Sequence, residues 1–362
     1  MKRRMINCTT SAVENLYFKR DWSRIFKNQG CIRIPTDIPL DLDNYVCDQP
    51  SSVWELIDRD GISVYSSDCF LENLIEDTSS VLTHPKDIFL IDRASKAKAL
   101  KSNYGVVLMT DKSAKSEVLK LGWEEPLKVN QPYSWNRFFT DAGRDMSKVP
   151  TNSLIIIDRY LFANFDQGLD NICEILEEVL PKSFSDEYHI LIISDPTEFK
   201  RYNESSKQKE PLRLEDAAEE IHQAIIDLRC QYALNVELLA LSSFKGKRQS
   251  PSEKVHFNVY SDSHNRRIIS NTFVIRAEHM LCAIKEYNGI LQSNASQTIW
   301  FDANFAGVDK KYQNIHSLPI KVAENIIETL STIVEKHINI GRYFLNGVEG
   351  KSENIINRLL RR

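Results

Sequence analysis

The residues of this chain best suited to chemistry lie in one short stretch, SDSHNRRIISN, residues 261–271. It brings together His264, Arg266, Arg267 and Asn271 between the apolar runs VHFNVY and TFVIRAEH. A histidine can attack a phosphodiester or donate a hydrogen bond to it, and a guanidinium presents a planar fork that grips a phosphate with two parallel N–H bonds. The same letters also describe a polar turn, in which SDSHN would form a hairpin corner and His264 would bond to backbone.

The spacing is specific. His264 is followed by Arg266 two residues on and by Asn271 five residues further, written H-x-R-x(4)-N. This resembles the H-x-K-x(4)-D signature of the phospholipase D superfamily, with arginine in place of lysine and asparagine in place of aspartate. The order of elements over about 151–290 is also similar to the C-terminal phospholipase-D-like module of MIT-domain proteins, in which the motif is degenerate. The resemblance implies a histidine that forms a covalent phosphohistidine, a second histidine that protonates the leaving group, and a cation that stabilises the phosphoryl charge. It therefore names His264 as the candidate catalytic residue. A family member with one motif pairs two copies of it in a homodimer. Within this chain the nearest second motif is THPKDIFLID, where His84 and Lys86 have the spacing but Asp92 lies one residue too late.

Other candidates belong to the same half. Asp158 and Arg159 end the apolar run LIII, and Asp195 ends HILIISD, at the position where open α/β sheets place ligand crevices; an ion pair that merely caps a strand is the plainer alternative. Two basic loops follow such runs. FKRYNESSKQKEPLR carries Lys200, Arg201, Lys207, Lys209 and Arg213, and FKGKRQSPSEK carries Lys245, Lys247, Arg248 and Lys254. A basic rim around a phosphate-gripping arginine suits a nucleic acid or another polyanion, and solvated loops also look like this. His316 and His337 have no acid or cysteine partner at ligand spacing, so no metal is expected. Neither a G-x-x-x-x-G-K-[ST] loop, a G-x-G-x-x-G turn nor a G-x-S-x-G elbow occurs, and no cofactor is expected.

The elements that must hold these residues follow from periodicity. In the first half, DIFLID and GVVLMT are short apolar strands with a helical stretch, ASKAKALKSN, between them and another, SAKSEVLKLGW, after them, and SVWELIDRDGISVYS is a helix followed by a strand. The residues from about 124 to 150, with Pro126, Pro132, Gly143 and Pro150, read as a loop-rich boundary. In the second half, LIIIDRYLF, HILIISD and NVELLALS are strands, with helices over NICEILEEVL and LEDAAEEIHQAIIDLRCQY between them. The stretch around 261–271 supplies two antiparallel strands, and from about 318 the chain reads as helical. The fold class is α/β: an N-terminal module over 1–150, a phospholipase-D-like module over 151–290 and a mainly helical tail over 291–362.

Composition fits a globular protein. Of 362 residues 42% are hydrophobic and 27% charged, which excludes a disordered chain, and a net charge of −4 confines any nucleic-acid surface to a local patch. Seven scattered cysteines without a CxxC pair read as reduced thiols. No apolar run approaches the length of a signal peptide or a membrane span, so a cytoplasmic location is expected. The function expected from all this is a phosphate-ligand or nucleic-acid-binding protein with a degenerate active site, in which Arg266, Arg267, Asn271, Asp158, Lys245, Lys247 and Arg248 bind the ligand; a bacterial accessory or defence role is compatible with it. The alternatives are a dimeric, metal-independent phosphodiesterase or nuclease acting through His264, and an interaction scaffold whose helix stripe Ile326, Leu330 and Ile333 docks on a partner or a second copy.

Overall fold

The structure is a computed structural model, which describes five short strands within residues 1–121 and then residues 122–141, 144, 151–242, 259–260, 266–303 and 313–361. The five strands are β1 (Ile6–Cys8), β2 (Cys31–Pro35), β3 (Ser63–Ser67), β4 (Ile88–Leu90) and β5 (Val107–Met109). All pair in parallel, in the order β3-β2-β1-β4-β5. The expected strands at 87–92 and 105–110 are therefore present, whereas the helix ASKAKALKSN lies outside the described residues, as do His84, Lys86 and SAKSEVLKLGW up to residue 121; its last two residues, Gly122 and Trp123, are strand.

The main body is a nine-stranded mixed sheet. Its strands are β6 (Gly122–Leu127), β7 (Ser153–Ile157), β8 (Tyr188–Ser194), β11 (Leu234–Ala240), β12 (Arg266–Ser270), β13 (Phe273–Ala277), β16 (Gln297–Ala303), β17 (Arg342–Leu345) and β18 (Val348–Lys351). They lie in the order β18-β17-β11-β8-β7-β12-β13-β16-β6. Only β7, β8 and β11 are mutually parallel; every other neighbour is antiparallel. Two hairpins stand apart, β9 (Lys200–Asn203) with β10 (Gln208–Pro211), and β14 (Ile284–Tyr287) with β15 (Ile290–Ser293).

The three parallel strands are runs of Ile, Leu and Val because both their faces are covered. Alternate residues serve opposite layers. Leu154, Ile156, Ile190, Ile192, Ile268 and Ile275 pack with helices α2 (Phe165–Val179) and α3 (Leu214–Ile226). Ile155, Ile157, Leu191, Ile193, Ile269 and Val274 pack with α4 (Gln313–Glu335). In α2 the buried Ile172, Ile175, Leu176 and Val179 follow the i, i+3, i+4, i+7 pattern, so the apolar stripe decides which face turns inward. Each fully buried leucine or isoleucine is worth roughly 2 kcal/mol. The stripe Ile326, Leu330 and Ile333, expected to meet a partner, is buried on the chain's own sheet instead.

Three local readings change. The boundary expected to be loop-rich contains β6 and helix α1 (Trp135–Thr140); Pro126 is tolerated because β6 is an edge strand, and Trp123 stacks on Phe301 with centroids 3.9 Å apart. The nine-stranded sheet takes strands from both sides of residues 150 and 290, and β17 and β18 return to it after α4. Finally, the turn expected at SDSHN lies outside the described residues, Val259 and Tyr260 are helical, and the turn between β12 and β13 falls at Asn271 and Thr272.

That turn has a local cause. The Ser270 hydroxyl accepts from the N–H of Thr272 at 3.0 Å and of Phe273 at 2.8 Å, all in the buried interior. Ser270→Ala leaves two buried donors without this acceptor and is expected to lower the unfolding free energy by about 1–2 kcal/mol. Urea denaturation checks this, and an unchanged midpoint would show that the turn holds without the hydroxyl.

Candidate functional site

The loops that leave the carboxyl ends of β7, β8 and β11 emerge at one edge of the sheet, and β12, antiparallel to β7, begins there. The first residue beyond β7 is Asp158 and the first beyond β8 is Asp195. Each anchors the other's loop through backbone: Asp158 donates its N–H to the Ile193 carbonyl, and Asp195 donates to the Arg159 carbonyl.

Two ion pairs cross between these loops. Asp158, only 1% exposed, lies 3.1 Å from Nε of the buried Arg266 at the start of β12. Its carboxylate also accepts from the Tyr160 N–H at 2.9 Å and, 123 residues on, from the Leu281 N–H at 2.9 Å. Burial pushes its pKa up from the ordinary aspartate value, while Arg266 and the two N–H donors pull it back towards the charged form. Asp195 accepts from the Thr197 N–H and hydroxyl at 3.0 and 2.8 Å, capping the turn that follows β8. Its other oxygen faces Arg159 Nε at 3.4 Å, longer than the 2.7–2.9 Å of a good charge-assisted bond.

Tyr160 stands between the pairs and is 41% exposed. The Arg159 guanidinium lies 4.9 Å from its ring centroid and that of Arg266 lies 5.4 Å away, both within cation–π range. Tyr260 is half-buried, donates its hydroxyl to the Leu241 carbonyl at 3.0 Å, and has its own ionisation pushed up, first by desolvation and then by Asp195 and Asp158.

The residues singled out from the sequence thus separate. Asp158 and Arg266 meet. Arg267 alternates to the α4 face, opposite Arg276, whose guanidinium lies 4.0 Å from the Trp300 ring centroid. Asn271 lies beyond the far end of β12, roughly 16 Å from Arg266 at about 3.3 Å per residue, and accepts from the Asn152 N–H at 3.1 Å. His264, Lys245, Lys247 and Arg248 lie outside the described residues, as does Lys254. The first basic loop is the β9–β10 hairpin, and most of its charge is answered locally: Lys200 by Glu198, Arg201 by Asp166 and Glu220, Arg213 by Glu215 and Asp216. Lys209 donates to the Ala163 carbonyl at 2.7 Å and Lys207 stands at the tip. Tyr160, Tyr260 and the Leu281 N–H are the members that sequence reasoning missed; the tripeptide Asp158-Arg159-Tyr160 at a strand end was the signal for the first.

Among the described residues no group of three or more His, Cys, Asp or Glu side chains is placed to hold a metal ion, and no helix is long and apolar enough to cross a membrane. No family model matches this chain, and neither does any curated protein or solved structure.

Proposed function

We propose that this edge of the sheet binds a phosphate-bearing ligand, a nucleotide or a nucleic-acid strand, with Arg159 as the gripping cation and Tyr160 beside it. The supporting observation is the looseness of Arg159. Its side chain is 22% exposed, its contact to Asp195 is 3.4 Å long, and its Nε makes no well-formed hydrogen bond among the described residues. Asp195 already holds two other donors, so Arg159 can turn to a ligand without stranding it. Arg266 plays a different part from the one the motif suggests: paired with Asp158, it stiffens the loop that carries Arg159 and Tyr160. His264 is two residues from Arg266 in the chain and belongs to the proposal as a hydrogen-bond donor, with no bond-breaking role.

The test is fluorescence anisotropy with a labelled single-stranded oligonucleotide, competed by ATP and by inorganic phosphate, at low and at moderate salt. Saturable binding that weakens with salt is expected, together with a loss of about tenfold in Arg159→Ala, partial recovery in Arg159→Lys, and a smaller loss in Tyr160→Ala. Thermal melts establish that each variant is folded. If neither the strand nor the competitors bind at low salt, or if Arg159→Ala binds as the wild type does, the proposal is wrong. Cleavage of the oligonucleotide that survives chelator and vanishes in His264→Ala would replace it with phosphodiester hydrolysis.

A further inference from the structure

Away from that edge, on the α4 face, one acid sits where an acid is expensive. Glu237 is in β11, between β8 and β17, and is 0% exposed. One oxygen, Oε1, accepts from the Tyr343 hydroxyl at 2.8 Å and from the Ile356 N–H at 2.7 Å. The other, Oε2, has no hydrogen-bond partner among the described residues. Around it the layer is made of Leu191, Leu239, Ile355 and Leu359.

The Ile356 contact matters because of what it ties down. Residues 355–361 carry no regular strand or helix, yet Ile355, Leu359 and Leu360 are buried against the sheet. Polar anchors hold them. Asn357 accepts from the Ser153 hydroxyl at 2.8 Å and donates to the Leu154 carbonyl at 2.9 Å, and Arg358 pairs with Asp186. Among these anchors Glu237 alone is an ionisable group fully enclosed by the layer that the segment covers.

The structure assigns to Glu237 the role of a proton-operated latch on residues 355–361, which holds the segment while its carboxyl is neutral and loosens it when the carboxyl ionises. The physical reason is the bare Oε2. A neutral carboxyl leaves one weakly polar group unpaired, whereas an ionised one leaves charge in an apolar layer, and opening the segment lets water reach it. Charged and titratable groups around it come from each packed element. Tyr343 of β17 donates to it, and the Ile356 and Asn357 N–H groups and Arg361 of the segment favour its charged form without overcoming burial. From β8, His189 is held down to about 4 by burial and by Arg358, so it stays neutral throughout the relevant range. From α4 come Ile326, Leu330 and Ile333. Burial pushes Glu237 up to about 7.

The sign follows. When the segment is open the carboxyl titrates in the ordinary glutamate range, and when it is closed it titrates near 7. Closure is therefore strongest below the ordinary range, and the advantage is lost as pH rises towards 7. The test is hydrogen exchange of the Ile356 and Leu359 amides in the full chain, expressed as protection factors so that intrinsic exchange is divided out. Protection is expected to fall by up to about tenfold per pH unit between 5 and 7 and then to level off. In Glu237→Gln, which keeps an oxygen acceptor without the charge, it should be flat across that range. Wild-type protection independent of pH, or the same slope in Glu237→Gln, overturns the latch. If the variant does not fold, infrared difference spectra of the wild type decide: a buried protonated carboxyl that disappears through about 7 supports it, and none overturns it.

Discussion

Asp158→Ala is expected to destabilise the protein by about 3–5 kcal/mol, the largest single effect at the candidate site. The substitution removes one carboxylate and disturbs three donors at once. Arg266, 7% exposed, keeps its charge inside the protein without the Asp158 carboxylate beside it, and the N–H groups of Tyr160 and Leu281 lose this acceptor. Urea denaturation measures the loss, and a deficit below about 1 kcal/mol would mean that water or another group takes over from Asp158. The double variant Asp158→Leu/Arg266→Met sharpens the point. If stranded charge is the cause, replacing both partners by apolar groups should recover most of the loss, and if the two N–H groups are the cause, it should not.

Gly168→Ala is the second large effect, and its direction opposes helix propensity. In an exposed helix interior the change would stabilise by about 1 kcal/mol. Here a Cβ would fall 2.2 Å from the Leu161 carbonyl oxygen and 3.2 Å from Phe162 Cδ1. The obstacle is backbone, and it belongs to the loop that carries Asp158, Arg159 and Tyr160, so neither side can yield without moving the site. The same carbonyl accepts from the Cys282 thiol at 3.0 Å, which limits its retreat. A net loss of about 2–3 kcal/mol is expected from chemical denaturation, with weaker oligonucleotide binding in the folded fraction. A stabilised variant would show that α2 and the loop approach less closely than this.

Much of the fold was legible. SLIII, YHILIIS and LNVELLA announce themselves as strands because an uninterrupted apolar run is what burial on two faces demands. The antiparallel pair around 266–277 was legible too, but its turn was not placed. SDSHN has the stronger turn composition, while the geometry is set by a single hydroxyl on Ser270. Two further hairpins carry a short-range signal in Asn288-Gly289 and Asn346-Gly347, all four at positive φ, as a two-residue turn between twisted strands requires. The site was legible only in pieces. Asp158, Arg159 and Asp195 could be placed at strand ends, but their partners could not. Sequence suggests an ion pair that caps the strand without naming its partners, and the structure has Asp158 reach across to Arg266 and Arg159 to Asp195. Such exchanges depend on which strand lies beside which, and that is decided by packing 36 to 108 residues away, not by neighbours in the chain.

The order of strands in the main sheet has a consequence for how copies of this protein behave in company. An open sheet ends in two rows of main-chain N–H and C=O groups, and a long flat apolar edge invites a strand from another molecule to add. Here the two ends are β6 and β18. The first reads GWEEPL, with a proline that cannot donate and two carboxylates that repel an identical edge. The second is four residues long, VEGK, and its Glu349 is tied back to Arg342 on the neighbouring strand. A nine-stranded sheet with continuous isoleucine runs at its centre is a hazard for fibrous growth. This one keeps those runs in the middle and finishes each side with residues that discourage a tenth strand.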